Sequence, residues 1–346
     1  MAVNISTIKP GGGGDYTTLQ AWEDWADGQA NKHQRAECYT GGDLGIVSVQ
    51  YWAGCDATDH PEIWAAAGES NDGVAGAGCY TNNGNGQIGL YSSSSVNHLH
   101  IKGIRFVRTH VTASFILHGV TDGIKGMVVE GCLFDDRATV CATVCAYITA
   151  NTNGVDTYDV VFKNNILLLN SNTLIGLYIY NYTVWAGAVQ TINIEVYNNT
   201  IVGGATGINP REREGGGALA TINLTQKNNL IVGSTVDYGI TGTGITRGTV
   251  ISQYNADSDN SLAGLGWDGV GCLANQVVTD LFTNYGGDDL SLAAGSNALE
   301  AGTDLSGVGV TDDIAGVARP QGAAYDMGCY ERMAFNRLRT LTGAGR

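Results

Sequence analysis

Proline is nearly absent, with four in 346 residues, and no apolar stretch is long enough to span a bilayer. The opening MAVNISTIKPGGGG offers neither a basic n-region nor an apolar h-region, so no signal peptide is read there and a soluble chain is expected. Positive charge is scarce as well: 18 Lys and Arg stand against 33 Asp and Glu, for a net charge of −15. Binding nucleic acid rests on cationic neutralisation of phosphates, so nucleic acid is excluded as an expected partner. Cysteine is too sparse for a disulfide scaffold, and the eight present (38, 55, 79, 132, 141, 145, 272, 329) are expected to be reduced core residues. Cys141 and Cys145 are spaced C-x3-C but lack a second ligand pair or a nearby His, so no metal site is read in them.

What is plentiful is glycine, with 50 residues, set among Val, Ile, Thr and Tyr and broken by Gly/Asn clusters. An apolar share of 43% is too high for a disordered chain, and the glycine is too irregular for collagen. The composition is that of an all-β protein.

A repeat organises it. KNNILLLN (163–170), YNNTIVGG (197–204) and KNNLIVGS (227–234) align with two earlier segments, LHIKGIRF (99–106) and MVVEGCLF (127–134). Each unit pivots on a Gly or Asn: Gly103, Gly131, Asn164, Asn198 and Asn228, at intervals of 28, 33, 34 and 30 residues. Four residues before the pivot stand Leu99, Met127, Val160, Ile194 and Leu224; two before it stand Ile101, Val129, Phe162, Val196 and, as the exception, Gln226. Three after it stand Phe106, Phe134, Leu167, Ile201 and Ile231. Period-two alternation predicts a strand with one buried face, and the phase break at the pivot predicts a corner, because Gly and Asn tolerate positive φ. Strand, corner, strand, recurring, describes a solenoid coil. The next position carries Asn165, Asn199 and Asn229, which stacked coils would bring into a ladder of amides, each donating to one neighbour and accepting from the other. Within YNNTIVGG, Tyr197 and Thr200 are expected to face away from the core.

With this repeat the chain resembles the right-handed parallel β-helix repeat proteins, most densely over 88–255. The resemblance implies an all-β, right-handed parallel β-helix solenoid with a short N-terminal capping helix. DYTTLQAWEDW (15–25) reads as that helix, with Thr17 and Gln20 in capping-box spacing and Leu19, Trp22 and Trp25 on one stripe. DIAGVARPQGAAYDMGCYE (313–331) is similar to the ending of many such proteins. The chain divides into a lead-in and capping helix (1–35), a β-helix with looser, irregular C-terminal coils (36–331) and a basic tail (332–346). The tail carries Arg332, Arg337, Arg339 and Arg346 with Arg319 just upstream and no acid after Glu331, and reads either as a solvated end or as an attachment peptide.

Catalytic groups on such a solenoid would stand on stacked outward positions. Arg108 falls above Asp136, with Asp135, Arg137 and His110 close by, so Arg108, Asp135 and Asp136 are the candidates for a glycosidase pair or lyase site; the competing reading is a surface ion pair. No N-T-D, G-H-G or R-I-K run of the pectin-degrading β-helix enzymes occurs. NADSDN (255–260) alternates oxygen donors but lacks the Gly and distal Glu of a calcium loop; no cofactor is assigned and calcium stays open. Tyr178, Tyr180, Tyr182 and Trp185 in GLYIYNYTVW are candidate carbohydrate or partner contacts.

The resemblance extends to phage-encoded spike, fibre and capsid-decoration proteins. It implies a structural virion component, made in the host cytoplasm, that presents a rigid β-helix. Capsid or tail subunits, further copies of the chain and host surface polysaccharide are the expected partners. The alternative is a polysaccharide lyase or glycoside hydrolase working in a groove along the solenoid.

Overall fold

Each repeat unit sends one strand into each of three parallel sheets. The structure is a computed structural model that describes residues 2–50, 52, 54–82, 90–93, 98–108, 115–119, 126–137, 144–150, 155–170, 173–183, 187–214, 218–240, 245–287 and 289–333. The first sheet has nine strands: Asn4–Ile8, Gln34–Cys38, Glu62–Ala65, His100–Lys102, Met127–Glu130, Val155–Lys163, Val189–Tyr197, Leu219–Lys227 and Val250–Gln253. The second runs through Tyr80–Asn82, Arg105–Val107, Leu133–Asp135, Ile166–Leu168, Thr200–Val202, Leu230–Val232 and Ala256–Asp257. The third takes Val47–Gln50, Leu90–Ser93, Phe115–Gly119, Val144–Ala150, Ile175–Thr183, Thr206–Glu214 and Val236–Tyr238. The chain is a parallel β-helix.

The columns expected from the repeat are the observed register. Met127, Val160, Ile194, Leu224 and Val250 are successive partners, as are Ile101, Val129, Phe162, Val196, Gln226 and Ser252. Phe106, Phe134, Leu167, Ile201, Ile231 and Asp257 form a third column, with the Phe106 and Phe134 rings stacked 4.8 Å apart. Intervals vary while register does not, because alternation fixes which side chains enter the core.

Between the first and second sheets the chain turns on one residue in the left-handed region: Gly103 (φ 73°), Gly131 (61°), Asn164 (54°), Asn198 (51°) and Asn228 (58°). The turn is buried, so its polar groups need partners inside the protein. At the three asparagine pivots the next residue, Asn165, Asn199 or Asn229, supplies them, while Asn71 Nδ2 donates to Gly103 O and Gly131 O. Asn199 Oδ1 accepts from Asn165 N at 2.9 Å and from Asn165 Nδ2 at 3.1 Å, while Asn199 Nδ2 donates to Phe162 O at 2.8 Å and to Asn229 Oδ1 at 3.0 Å. Asn229 repeats the pattern onto Asn255 Oδ1, a rung the repeat alignment did not include. The ladder starts at Cys132 N, which donates to Asn165 Oδ1, and stops where Asn255 Nδ2 donates to Gln226 O and Ser252 Oγ.

The second sheet departs from the half-buried expectation. Ile166, Leu168, Val202, Leu230 and Val232 leave its outer face yet are buried against Leu281, Phe282, Leu290, Leu292, Ala298, Ile314, Met327 and Cys329. The C-terminal segment is therefore a packed outer layer, where irregular coils were expected. Thr200, expected outside, is sealed beneath it, its Oγ1 accepting from Cys329 N. Tyr197 does leave the solenoid interior but is buried against Leu305, Val310 and Tyr325. The pivot asparagines fasten this layer: Asn164 Nδ2 donates to Asp312 O, Asn198 Nδ2 to Asp326 O and Gly328 O, and Asn228 Nδ2 to Thr303 O. Arg319 belongs to this layer and not to a basic tail, for its buried guanidinium is bound by Glu331, Asp326 O and Gly328 O.

The N-terminal helix, Leu19–Ala26, closes one end of the solenoid. Its N-cap is Thr18, whose Oγ1 accepts from Ala21 N, and not Thr17. Leu19, Trp22, Glu23 and Ala26 face the core, with Glu23 accepting from Trp52 Nε1. Trp25 is 40% exposed, because position i+6 has rotated well past the i, i+3, i+4, i+7 stripe.

Asn199→Ala strands two buried donors of Asn165, takes a donor from Phe162 O and Asn229 Oδ1, and should cost about 3 kcal/mol in urea unfolding, against under about 0.5 kcal/mol for the exposed Thr157→Ala. Met327→Ala should cost about 2–5 kcal/mol and raise hydrogen exchange across 289–331 while the ladder amides stay protected; uniform loss of protection would show that the outer layer is not a separate unit.

Candidate functional site

The strand Ile175–Thr183 alternates cleanly. Leu177, Ile179, Asn181 and Thr183 are fully buried, with Asn181 Nδ2 donating to Gln190 O and Thr221 O, so Tyr178, Tyr180 and Tyr182 stand on the outer face of the third sheet. Their rings form a continuous stack. Tyr147 lies 5.3 Å from Tyr178, Tyr178 5.2 Å from Tyr180, and Tyr180 5.6 Å from Tyr182, with interplanar angles of 10–13°. The next strand adds cations in register, since Tyr180 pairs with Arg211 and Tyr182 with Arg213. The Arg211 guanidinium sits 5.5 Å from the Tyr180 ring and that of Arg213 4.8 Å from the Tyr182 ring, and Arg213 Nη1 donates to Tyr180 Oη at 3.4 Å. That hydrogen bond holds the Arg213 guanidinium above its ordinary pKa, while burial raises the Tyr147 phenol. Tyr178 is nearly covered, whereas Tyr180, Tyr182 and Arg211 are partly exposed and Arg213 is open. Trp185 lies outside the described residues.

Arg108 and Asp136 do meet, at 3.0 Å, but both are fully buried. An outward position was expected for them. Alternation from Phe106 to Arg108, and from Phe134 to Asp136, instead puts both on the inner face. Asp136 also accepts from Thr173 Oγ1, and Arg108 Nη2 donates to Val144 O. Burial pushes the Asp136 carboxyl up to about 6 against the pull of Arg108 and Thr173. Asp135 is on the surface, held by Arg137 Nε and Nη2 at 3.0 and 3.2 Å. The three candidates thus form an internal ion pair and a surface fork, with no shared face for a substrate.

A denser charged group, not read from the sequence, covers the early coils of the first sheet. Glu62 is approached by His33 at 3.4 Å and His60 at 3.7 Å and is bonded by Arg35; Glu130 is approached by Lys102 at 2.9 Å and by His100 and Lys163 at 3.4 Å. Trp64 lies among them, with Arg35 3.6 Å over its ring and His100 edge-on at 5.1 Å. Burial lowers the pKa of His60. Register carries the group: Arg35, Glu62 and His100 form one column, and Trp64, Lys102, Glu130 and Lys163 form the next. Extending the repeat backwards past Gly103 would have exposed it. Beside it a groove of about 410 Å³ opens between the pivot corner and the C-terminal layer, lined by Ser70, Asp72, Lys102, Glu130, Asn164 and Asp312 among others.

The 255–260 oxygens are committed to the fold: Asp257 accepts from the N–H groups of Asn260, Leu262 and Asn275, and Asp259 from those of Ser261 and Asp237. Among the described residues no three His, Cys, Asp or Glu side chains are grouped as metal ligands. In the basic end, Arg332 N donates to Asp326 Oδ2. Arg337, Arg339 and Arg346 lie outside the described residues, as do His110 and Cys141.

Burial alone would raise the Glu130 carboxyl, but His100, Lys163 and Lys102 outweigh it and hold it down at about 2. A depressed carboxyl stabilises the fold above its unfolded pKa of 4.5 and loses that contribution as pH falls through about 2. Glu130→Gln should therefore cost on the order of 2 kcal/mol at pH 7 and nearly nothing at pH 2, read from denaturant midpoints across pH.

The chain matches no known protein-family model, and no curated protein is detectably similar in sequence. Among solved structures it is similar to one titled "Crystal structure of pectate lyase Pel9A", at 13% identity and a TM-score of 0.37 over 96% of this chain and 97% of that one.

Proposed function

We propose that the chain is a structural attachment protein, a rigid β-helix that presents the tyrosine–arginine face of its third sheet to a ligand or partner. The observation that carries this reading is the stack of Tyr147, Tyr178, Tyr180 and Tyr182 with Arg211 and Arg213 alongside, held outward by a strand whose alternate residues are locked in the core. Aromatic rings fixed on a rigid sheet stack on sugar faces or seat a partner protein at little entropic cost, and guanidinium groups add directional donors. On this reading the protein belongs to a phage particle, docks to capsid or tail subunits, associates with further copies of itself, and meets host surface polysaccharide through this face. The polysaccharide lyase or hydrolase alternative would have to place its catalytic groups elsewhere than at the sealed Arg108–Asp136 pair.

Replacing Tyr180 and Arg213 together with Ala should weaken binding to host-cell surface polysaccharide by roughly tenfold or more while leaving thermal stability within a few degrees. Retention of full affinity by the double variant would sink the proposal. So would the appearance of new reducing ends or unsaturated uronate on incubation, which would make the protein an enzyme.

A further inference from the structure

Four of the six histidines, at 33, 60, 98 and 100, gather on the early coils, and none follows residue 118. Arg35, Glu62 and His100 are register partners, so His33, His60 and His98, each two residues earlier, share a column across three successive coils. The rings follow it. His33 and His60 lie 5.5 Å apart between centroids, and His60 and His98 6.4 Å. The next coil has Gly126 at this place, where a Cβ would come within 2.1 Å of His98 Nδ1, so the His98 ring takes the space a side chain would fill.

The acids around the column have little left to give it. Glu62 Oε2 is bonded by Arg35, and His33 Nε2 and His60 Nε2 both approach its other oxygen, at 3.4 and 3.7 Å. Glu130 serves Lys102 and Lys163 as well as His100. On the loop before His60, Asp56 Oδ1 accepts from Thr58 N, Thr58 Oγ1 and Asp59 N. With Asp56 and Asp59 counted, four acids face three permanent cations, Arg35, Lys102 and Lys163, at neutral pH and up to seven cations once the four imidazoles are charged. Charges this close repel, and partial burial weakens the screening by water. His33 Nδ1 is enclosed and meets no acceptor, so the second N–H of a charged His33 would be stranded. The surroundings of His60 already oppose its charge: burial, with His33 and His100 beyond it, lowers its pKa against the pull of Glu62 and the Asp56 carbonyl. A lowered imidazole costs the fold nothing above the unfolded value of 6.5 and progressively more as pH falls below it. The later coils carry no imidazole, and their corner is held by amides that do not titrate.

We propose that the early coils are an acid-sensitive segment. Protons on the histidine column and His100 put more cations around Glu62 and Glu130 than two carboxylates can pair, and the strands Gln34–Cys38, Glu62–Ala65 and His100–Lys102 loosen while the later coils stay closed. The device makes no use of the tyrosine–arginine face and stands whether or not that face binds.

Hydrogen exchange of the full chain is followed at about pH 7.5 and about pH 5.5, each rate divided by the intrinsic rate at that pH. Peptides over 34–38, 62–65 and 100–102 should lose roughly tenfold in protection at the lower pH, while those over 193–199 and 222–229 keep theirs. His33→Gln with His60→Gln should remove most of that loss. In the unaltered protein the ring-proton NMR signals of His60 should titrate over the interval in which protection falls, a check that needs no variant to fold. Equal protection at both pH values, a loss shared evenly by the later coils, a loss that survives the double Gln variant, or one outside the interval of the imidazole titration would overturn the proposal.

Discussion

A parallel solenoid turns its chain inside its own wall, and each buried turn strands backbone groups that no strand can pair. That constraint governs this protein. The left-handed pivot changes direction in one residue, and the asparagine after it returns hydrogen bonds to the coils on either side. Without the pivot the strands could not switch sheets; without the amide the switch would be paid for in unsatisfied polar groups. The three sheets, and hence every outward side chain, take their position from that corner.

The pivot asparagine has a second task that joins distant parts of the chain. Its side chain points outward and receives the C-terminal layer, 75 to 148 residues away in sequence. The layer covers a sheet face as apolar as the interior, so the second sheet is a shared wall between two cores. Of the other two outer faces, one is dominated by charge and the other by stacked phenols, and the layer reaches the first of them at Lys163 and Tyr197 beside the corner. Division of labour among the faces follows from which of them the layer seals.

How legible this was depends on distance along the chain. The register was legible because alternation and phase break recur locally: Phe106, Phe134 and Leu167 announce one column from their spacing alone. The tyrosine face was legible for the same reason. Alternation also placed Arg108 and Asp136 inside, so a search for outward charge there ran against the pattern's own parity. The sealed second sheet left a trace in the uninterrupted runs Ile166–Leu168 and Leu230–Val232, which mark a strand buried on both faces. What covers those runs was not legible, because contacts such as Thr200 with Cys329 have no period and no neighbouring signal. Lys102, Glu130 and Lys163 stand one before three aligned pivots and so share a column legible from the repeat, whereas Arg35, Glu62 and Trp64 stayed hidden because the coils before Gly103 keep register without keeping the interval.

The amide ladder has a direction. Each Oδ1 accepts from the lower-numbered coil, beginning with Cys132 N, and up to Asn229 each Nδ2 gives one N–H to the next Oδ1 and the other to a carbonyl of the coil before. Aligned amides reinforce one another's polarity, as peptide units do along a helix. The corner is therefore a wire with a sign, and both leads are soldered to groups of the same chain. The last rung gives its remaining N–H to Ser252 Oγ of its own coil, so the seam ends on a partner inside the chain and not on a bare amide.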